Sequence, residues 1–153
     1  MIKQILAFGF FFCLALPAFA QTTNPNYDST LAKTLGADEY GMKMYIMVLL
    51  KTGPKTEEDK VKRDSLFAGH LANISRLAEL NKLAVAGPFG KNDAGLRGIF
   101  ILNVSTVEAA DELLQTDPAI AAGLLLPELY PWYGSAALPQ YLKDHDKVWK
   151  TKF

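Results

Sequence analysis

The order of elements readable along this chain is β-α-β-β-α-β. This is the ferredoxin-like arrangement of the α+β class, a four-stranded antiparallel sheet with two helices on one face. Three observations predict it. Residues 42–50 form a run of Met, Tyr, Ile, Val and Leu that is apolar on both faces, as a buried central strand is. Two stretches with helical spacing, each opened by capping chemistry, alternate with short apolar runs of strand length. Gly, Pro, Asn and Asp cluster where the chain has to reverse.

Each element follows in turn. Thr52-Gly53-Pro54 stops the first strand. Thr56, with Asp59 three positions later, is a capping pattern, and Glu57, Glu58 and Asp59 suit the positive end of a helix dipole. That helix is expected to reach about Asn81, with solvated first turns and an amphipathic second half. Residues 83–86 read as a short strand broken by Gly87-Pro88, and Asn92-Asp93-Ala94-Gly95 turns the chain into a strand over residues 97–104. Ser105 and Glu108 make a capping box for a second helix through Ala109, Ala110, Leu113 and Leu114. Asp117-Pro118 ends it, because a residue before proline is pushed out of the helical region. Residues 119–124 leave room for one more turn. Residues 125–132 supply a last strand, at an edge because Pro127 cannot serve a central one.

The flanks differ in character. Residues 1–20 read as a secretory signal peptide: Lys3 gives a positive start, residues 5–16 are apolar, and Ala18-Phe19-Ala20 is a small-residue cleavage site before Gln21. Cleavage after Ala20 places the chain in the periplasm or outside the cell, with no stable membrane insertion afterwards. Residues 21–40, rich in Thr, Asn and Ser without an apolar period, read as a flexible arm. Residues 41–133 form the domain. Residues 134–153 form an aromatic and charged tail, helical from about Gln140.

Composition narrows the function classes. Cys13, the one cysteine, falls in the signal segment, so cleavage leaves no disulfide, thiolate nucleophile or cysteine-held metal. About 130 residues suffice for a single core without disulfides. Sixteen basic residues balance sixteen acidic ones with no cationic block, which argues against a nucleic-acid partner. Tyr45, Met47, Ile99 and Ile101 make the sheet's second face apolar, so either a second subunit covers it, giving a homodimer, or the tail folds back over it.

His70 is the residue that asks for an explanation. It falls within a helical stripe of Leu66, Phe67, Leu71, Ile74, Leu77 and Ala78. There a histidine either satisfies its nitrogens in the core or meets something in a cleft. Gly87-Pro88-Phe89-Gly90 fits either a pocket wall, with the amides of Phe89 or Gly90 near a ligand, or an ordinary turn. Trp132, with Tyr133 and Tyr130, fits either an aromatic wall for a flat ligand or a subunit interface. Asp144-His145-Asp146 has metal-ligand residue types in what reads as a solvated tail, and neither a metal site nor a cofactor is expected.

An ordered set of short motifs resembles the YCII-related (YciI-like) domain family of the dimeric α/β-barrel group. It comprises His70-Leu71, Gly87-Pro88-Phe89, residues 105–110 (Ser-Thr-Val-Glu-Ala-Ala), Asp117-Pro118, Ala122-Gly123 and Pro131-Trp132. The resemblance implies a His–Asp pair in a cleft, falling here on His70 and Asp117, and relatives that include dehydrochlorinase-like enzymes of small rings. A carboxylate-held imidazole moves protons, so the implied activity is general acid–base chemistry on a small cyclic or aromatic substrate: proton transfer, elimination or isomerisation. His70 and Asp117 are then the catalytic pair, with Gly87, Pro88, Phe89 and Trp132 binding substrate. The competing reading is a non-catalytic envelope module that binds a ligand or dimerises. In that reading His70 packs in the core, and Asp117 is only the N-cap of a turn opened by Pro118.

Overall fold

The computed structural model describes residues 24–151. The expected signal segment, its cleavage site and Cys13 lie outside the described residues. Within them the chain runs α1 (Ser29–Leu35), β1 (Met42–Thr52), α2 (Lys60–Glu79), β2 (Leu83–Pro88), β3 (Leu96–Leu102), α3 (Val107–Leu114), α4 (Pro118–Ala121) and β4 (Leu125–Ser135). A 3₁₀ turn (Leu138–Tyr141) and α5 (Leu142–Val148) follow. The sheet order is β2-β3-β1-β4 with every pairing antiparallel, which is the ferredoxin-like topology.

The apolar run of β1 is central, as its two-faced pattern requires. Alternation sends Ile46, Val48 and Leu50 to one face, where they join Phe100 and Leu102 of β3, Leu77 of α2, Leu114 of α3 and Ile120 of α4 in the core. β4 is an edge strand, so its prolines take register positions opposite Leu50 (Pro127) and Ile46 (Pro131) with one side of the strand unpaired.

Several boundaries differ from expectation, each for a visible reason. α2 begins at Lys60 because the Asp59 carboxylate accepts from the amides of Val61 (2.8 Å) and Lys62 (3.2 Å). Asp59 is therefore the cap, and Thr56 lies before the helix. In α3 the cap is Thr106, whose hydroxyl accepts from Ala109 N–H, rather than Ser105. β4 continues three residues past Trp132, because Tyr133, Gly134 and Ser135 still pair with β1.

The arm contains a helix the sequence pattern does not signal. Asp28 caps α1, Gly36 ends it in a left-handed conformation, and none of its residues is buried. Tethers hold this segment to the sheet: Lys43 Nζ donates to Leu35 O, and Tyr133 donates its hydroxyl proton to the Asp38 carboxylate. The tail folds back. Ala136 N–H donates to Gly41 O beside β1, and Tyr141 donates its hydroxyl proton to Ala84 O in β2 at the far edge. Tyr45, on the face away from Ile46, is fully buried against Trp132 and donates to Ser135 O. Met47, Leu49, Ile99 and Ile101 on that same face are only half-buried. No helix among the described residues is long and apolar enough to cross a membrane.

A histidine–aspartate pair between two helices

Three elements converge on His70. α2 carries the imidazole over the core face of the sheet, where it stacks on Phe100 of β3 with centroids 5.8 Å apart. Phe67, one turn earlier on the same helix, meets the ring edge-on at 6.3 Å. The turn between α3 and α4 brings in Asp117, whose Oδ2 lies 2.6 Å from His70 Nδ1.

Asp117 does two things at once. Its Oδ1 accepts from the amides of Ala119 (3.0 Å) and Ile120 (3.2 Å), capping α4 with Pro118 at the first helical position. The cap and the partner of His70 are thus one residue using two oxygens, and the alternatives left open by the sequence coexist. The carboxylate is fully buried. Burial pushes its pKa up, but the hydrogen bond and charge of His70 and the two helix amides outweigh that, and the net shift is below the ordinary carboxylate value.

An ionised Asp117 can only accept, so His70 Nδ1 carries the proton. In the neutral ring the lone pair is then on Nε2. Among the described residues that nitrogen has no hydrogen-bond partner and no buried side-chain nitrogen or oxygen lacks one, so Nε2 is not fully buried. The ring is held by two aromatic side chains and a carboxylate, with one basic nitrogen open. It can accept a proton at Nε2 and hold the resulting imidazolium against Asp117.

The other residues assigned to substrate do not join this pair. Pro88 and Phe89 line a separate cleft of about 440 Å³ at the β2–β3 turn, with Thr52, Gly90, Asn92 and Arg97, and neither His70 nor Asp117 borders it. Gly87 pairs with Ile99 inside the sheet and lines neither place. Trp132 is opposite Tyr45 in register, and the strand pleat puts both on the face away from Phe100 and His70. A wall built from Trp132 therefore cannot meet the imidazole from the same side of the sheet. Asp144 pairs with Lys147, and His145 meets Tyr141 edge-on and stacks on Trp149.

Two residues went unflagged. Asn73 is buried although Leu71, expected in the stripe, is 48% exposed. The Asn73 Oδ1 accepts from Arg76 Nη2 (2.7 Å) and Thr116 Oγ1 (3.1 Å), joining α2 to the residue before Asp117. Gly69 lies so close to Pro118 that a Cβ there would come within 2.8 Å of the proline Cγ. Spacing did not mark them: 69 and 73 are one turn apart on α2 and lie to the same side of His70, but neither residue type says that this side is packed.

Comparison with known proteins gives a family and a similar solved structure. The model of the YCII-related domain matches residues 44–132. No curated protein matches the chain. Among solved structures, the 5-chloro-2-hydroxyhydroquinone dehydrochlorinase of Burkholderia phenoliruptrix AC1100, in complex with 2,5-dihydroxybenzoquinone, is similar. It is 21% identical at a TM-score of 0.40, over 57% of this chain and 92% of that one. The family match spans more than half of the sequence, from within β1 to within β4, and the chain belongs to the YCII-related domain family.

Proposed function

We propose that this protein is a small-molecule enzyme in which His70 is the general base and acid and Asp117 orients it and stabilises its imidazolium. The observation that carries the reading is the 2.6 Å Nδ1–Oδ2 contact combined with an unpartnered Nε2. Phe67, partly buried beside the ring, is an apolar, ring-shaped neighbour that suits a small cyclic or aromatic substrate, while Phe100 backs the imidazole from the core. Nε2 takes a proton from a substrate C–H or O–H. The electron pair released from that bond expels a leaving group or shifts a double bond. Asp117 stabilises the imidazolium until Nε2–H returns the proton to the leaving group or to another substrate atom.

The test needs no natural substrate. In 5-nitrobenzisoxazole, removal of the ring C–H proton breaks the N–O bond and releases a coloured phenoxide, so ring opening reports a positioned base. The wild-type protein should open it about 100-fold faster than His70→Ala, with Asp117→Asn in between. Equal rates for wild type and His70→Ala in folded protein would leave a ligand-binding module, detected as a rise in Tm without turnover.

Two further parts belong to this reading. Export follows from Lys3, the apolar run and Ala18-Phe19-Ala20, and N-terminal sequencing of the mature protein should begin at Gln21. A homodimer follows from the half-covered apolar face of Met47, Leu49, Ile99 and Ile101. The Lys51–Glu128 pair (2.7 Å) lies on that face.

A further inference from the structure

We propose that Gly69 is a positioning residue for the His70–Asp117 pair, because its missing side chain lets α4 seat against α2 at the separation that closes the contact. The contact depends on how near two short stretches of chain approach each other. On α2, His70 is fixed from the sheet side by stacking on Phe100 and from its own helix by Phe67. On the other side, Asp117 is fixed to α4, since its Oδ1 is tied to the amides of Ala119 and Ile120. The carboxylate therefore moves with α4 as a unit, and whatever sets the distance from α4 to α2 sets the distance from Oδ2 to Nδ1.

The closest determinant of that distance lies one residue from each partner. A Cβ at position 69 would sit 2.8 Å from Pro118 Cγ and 3.4 Å from its Cβ. A proline ring cannot swing aside as a long side chain does. With alanine at 69, the approach must open towards an ordinary contact of 3.4 Å or more, and the shift passes through Pro118 to Asp117. A hydrogen bond of 2.6 Å has no slack for such a displacement. On the other flank Asn73 receives Thr116 Oγ1, so consecutive residues 116, 117 and 118 meet α2 at 73, 70 and 69. Glycine inside a helix ordinarily costs stability. Here the close approach accounts for it.

The kinetic consequence rests on the acid–base role proposed above; the geometric claim does not. The experiment compares wild type, Gly69→Ala, Pro118→Ala and the double variant. Long-range proton–nitrogen NMR of the His70 ring and ring opening of 5-nitrobenzisoxazole are both read. Removing the proline ring leaves only the 3.4 Å Cβ contact, so Pro118→Ala should restore what Gly69→Ala disturbs. In Gly69→Ala the His70 Nδ1–H signal is expected to move upfield and exchange faster while helical circular dichroism is kept. The ring-opening rate should fall roughly tenfold, and the double variant should recover both. A folded Gly69→Ala with the wild-type Nδ1–H signal overturns the proposal, as does a double variant that fails to recover it. Should Gly69→Ala not fold, a folded double variant with the wild-type signal supports the proposal, and an unfolded one overturns it. If wild-type protein leaves the probe unopened, the acid–base reading fails and the NMR comparison still decides the role of Gly69.

Discussion

At the scale of the residue, Asp117 is where structure and chemistry meet. One oxygen caps α4 and the other holds His70, so substitutions separate the two. Asp117→Asn keeps an acceptor for the amides, whereas Asp117→Ala loses both, with a cost of about 3 kcal/mol in urea unfolding: about 1 for the cap and about 2 for a hydrogen bond to a charged group. The carboxyl pKa is below its ordinary 3.8 in the fold, so the unfolded chain binds the proton more readily. The stability this contributes is full above about pH 4 and is lost as pH falls through the lower, folded value. Wild type should therefore lose more of its urea midpoint between pH 6 and pH 3 than Asp117→Asn does. His70 and Asp117 were legible, one as a polar interruption of an apolar stripe and the other through family likeness. Asn73 was not, because a lone asparagine in mid-helix has the same appearance on a solvated face as on a buried one.

At the scale of the element, the site depends on how tightly the turns close. Gly53 shows this at the end of β1. Its amide donates to Leu124 O at 2.8 Å, and a Cβ there would lie 2.1 Å from Gly123 O, inside any tolerable contact. Gly53→Ala must separate β1 from the loop that leads out of α4, and a loss of about 3 kcal/mol is expected in thermal or urea unfolding. Capping residues were visible in the sequence, but with two candidates in each cluster only geometry decides which oxygen reaches the free amides. Asp59 is chosen over Thr56, and Thr106 over Ser105. α1 was illegible for a related reason. It buries nothing, so no apolar period marks it, and its Asp28 cap and Gly36 end are the only local signals.

At the scale of the whole molecule, β-α-β-β-α-β was readable because the two-faced apolar run had to be central and the turn residues left few alternatives. The faces of β4 were harder. With apolar residues on both sides, the sequence does not say which of them meets α2, and Trp132 proves to lie across the sheet from His70. That places Tyr130 and Trp132 with the open face rather than with the imidazole, while Tyr133 lies on the helix side and bonds Asp38 of the arm. The dimer reading belongs here. Sedimentation equilibrium should give twice the chain mass, and Ile101→Lys, on the open face opposite Met47 in register, should give the monomer with His70 unaffected.

The proposed chemistry requires that Asp117 fix His70 as the Nδ1–H tautomer with Nε2 free to take a proton. Long-range proton–nitrogen NMR of His70 at neutral to mildly alkaline pH tests it most directly, comparing wild type with Asp117→Asn. The expected result is a protonated Nδ1 and an unprotonated Nε2 in wild type, with that preference weakened in Asp117→Asn. A wild-type ring protonated on Nε2, or one that does not respond to the substitution, would contradict it.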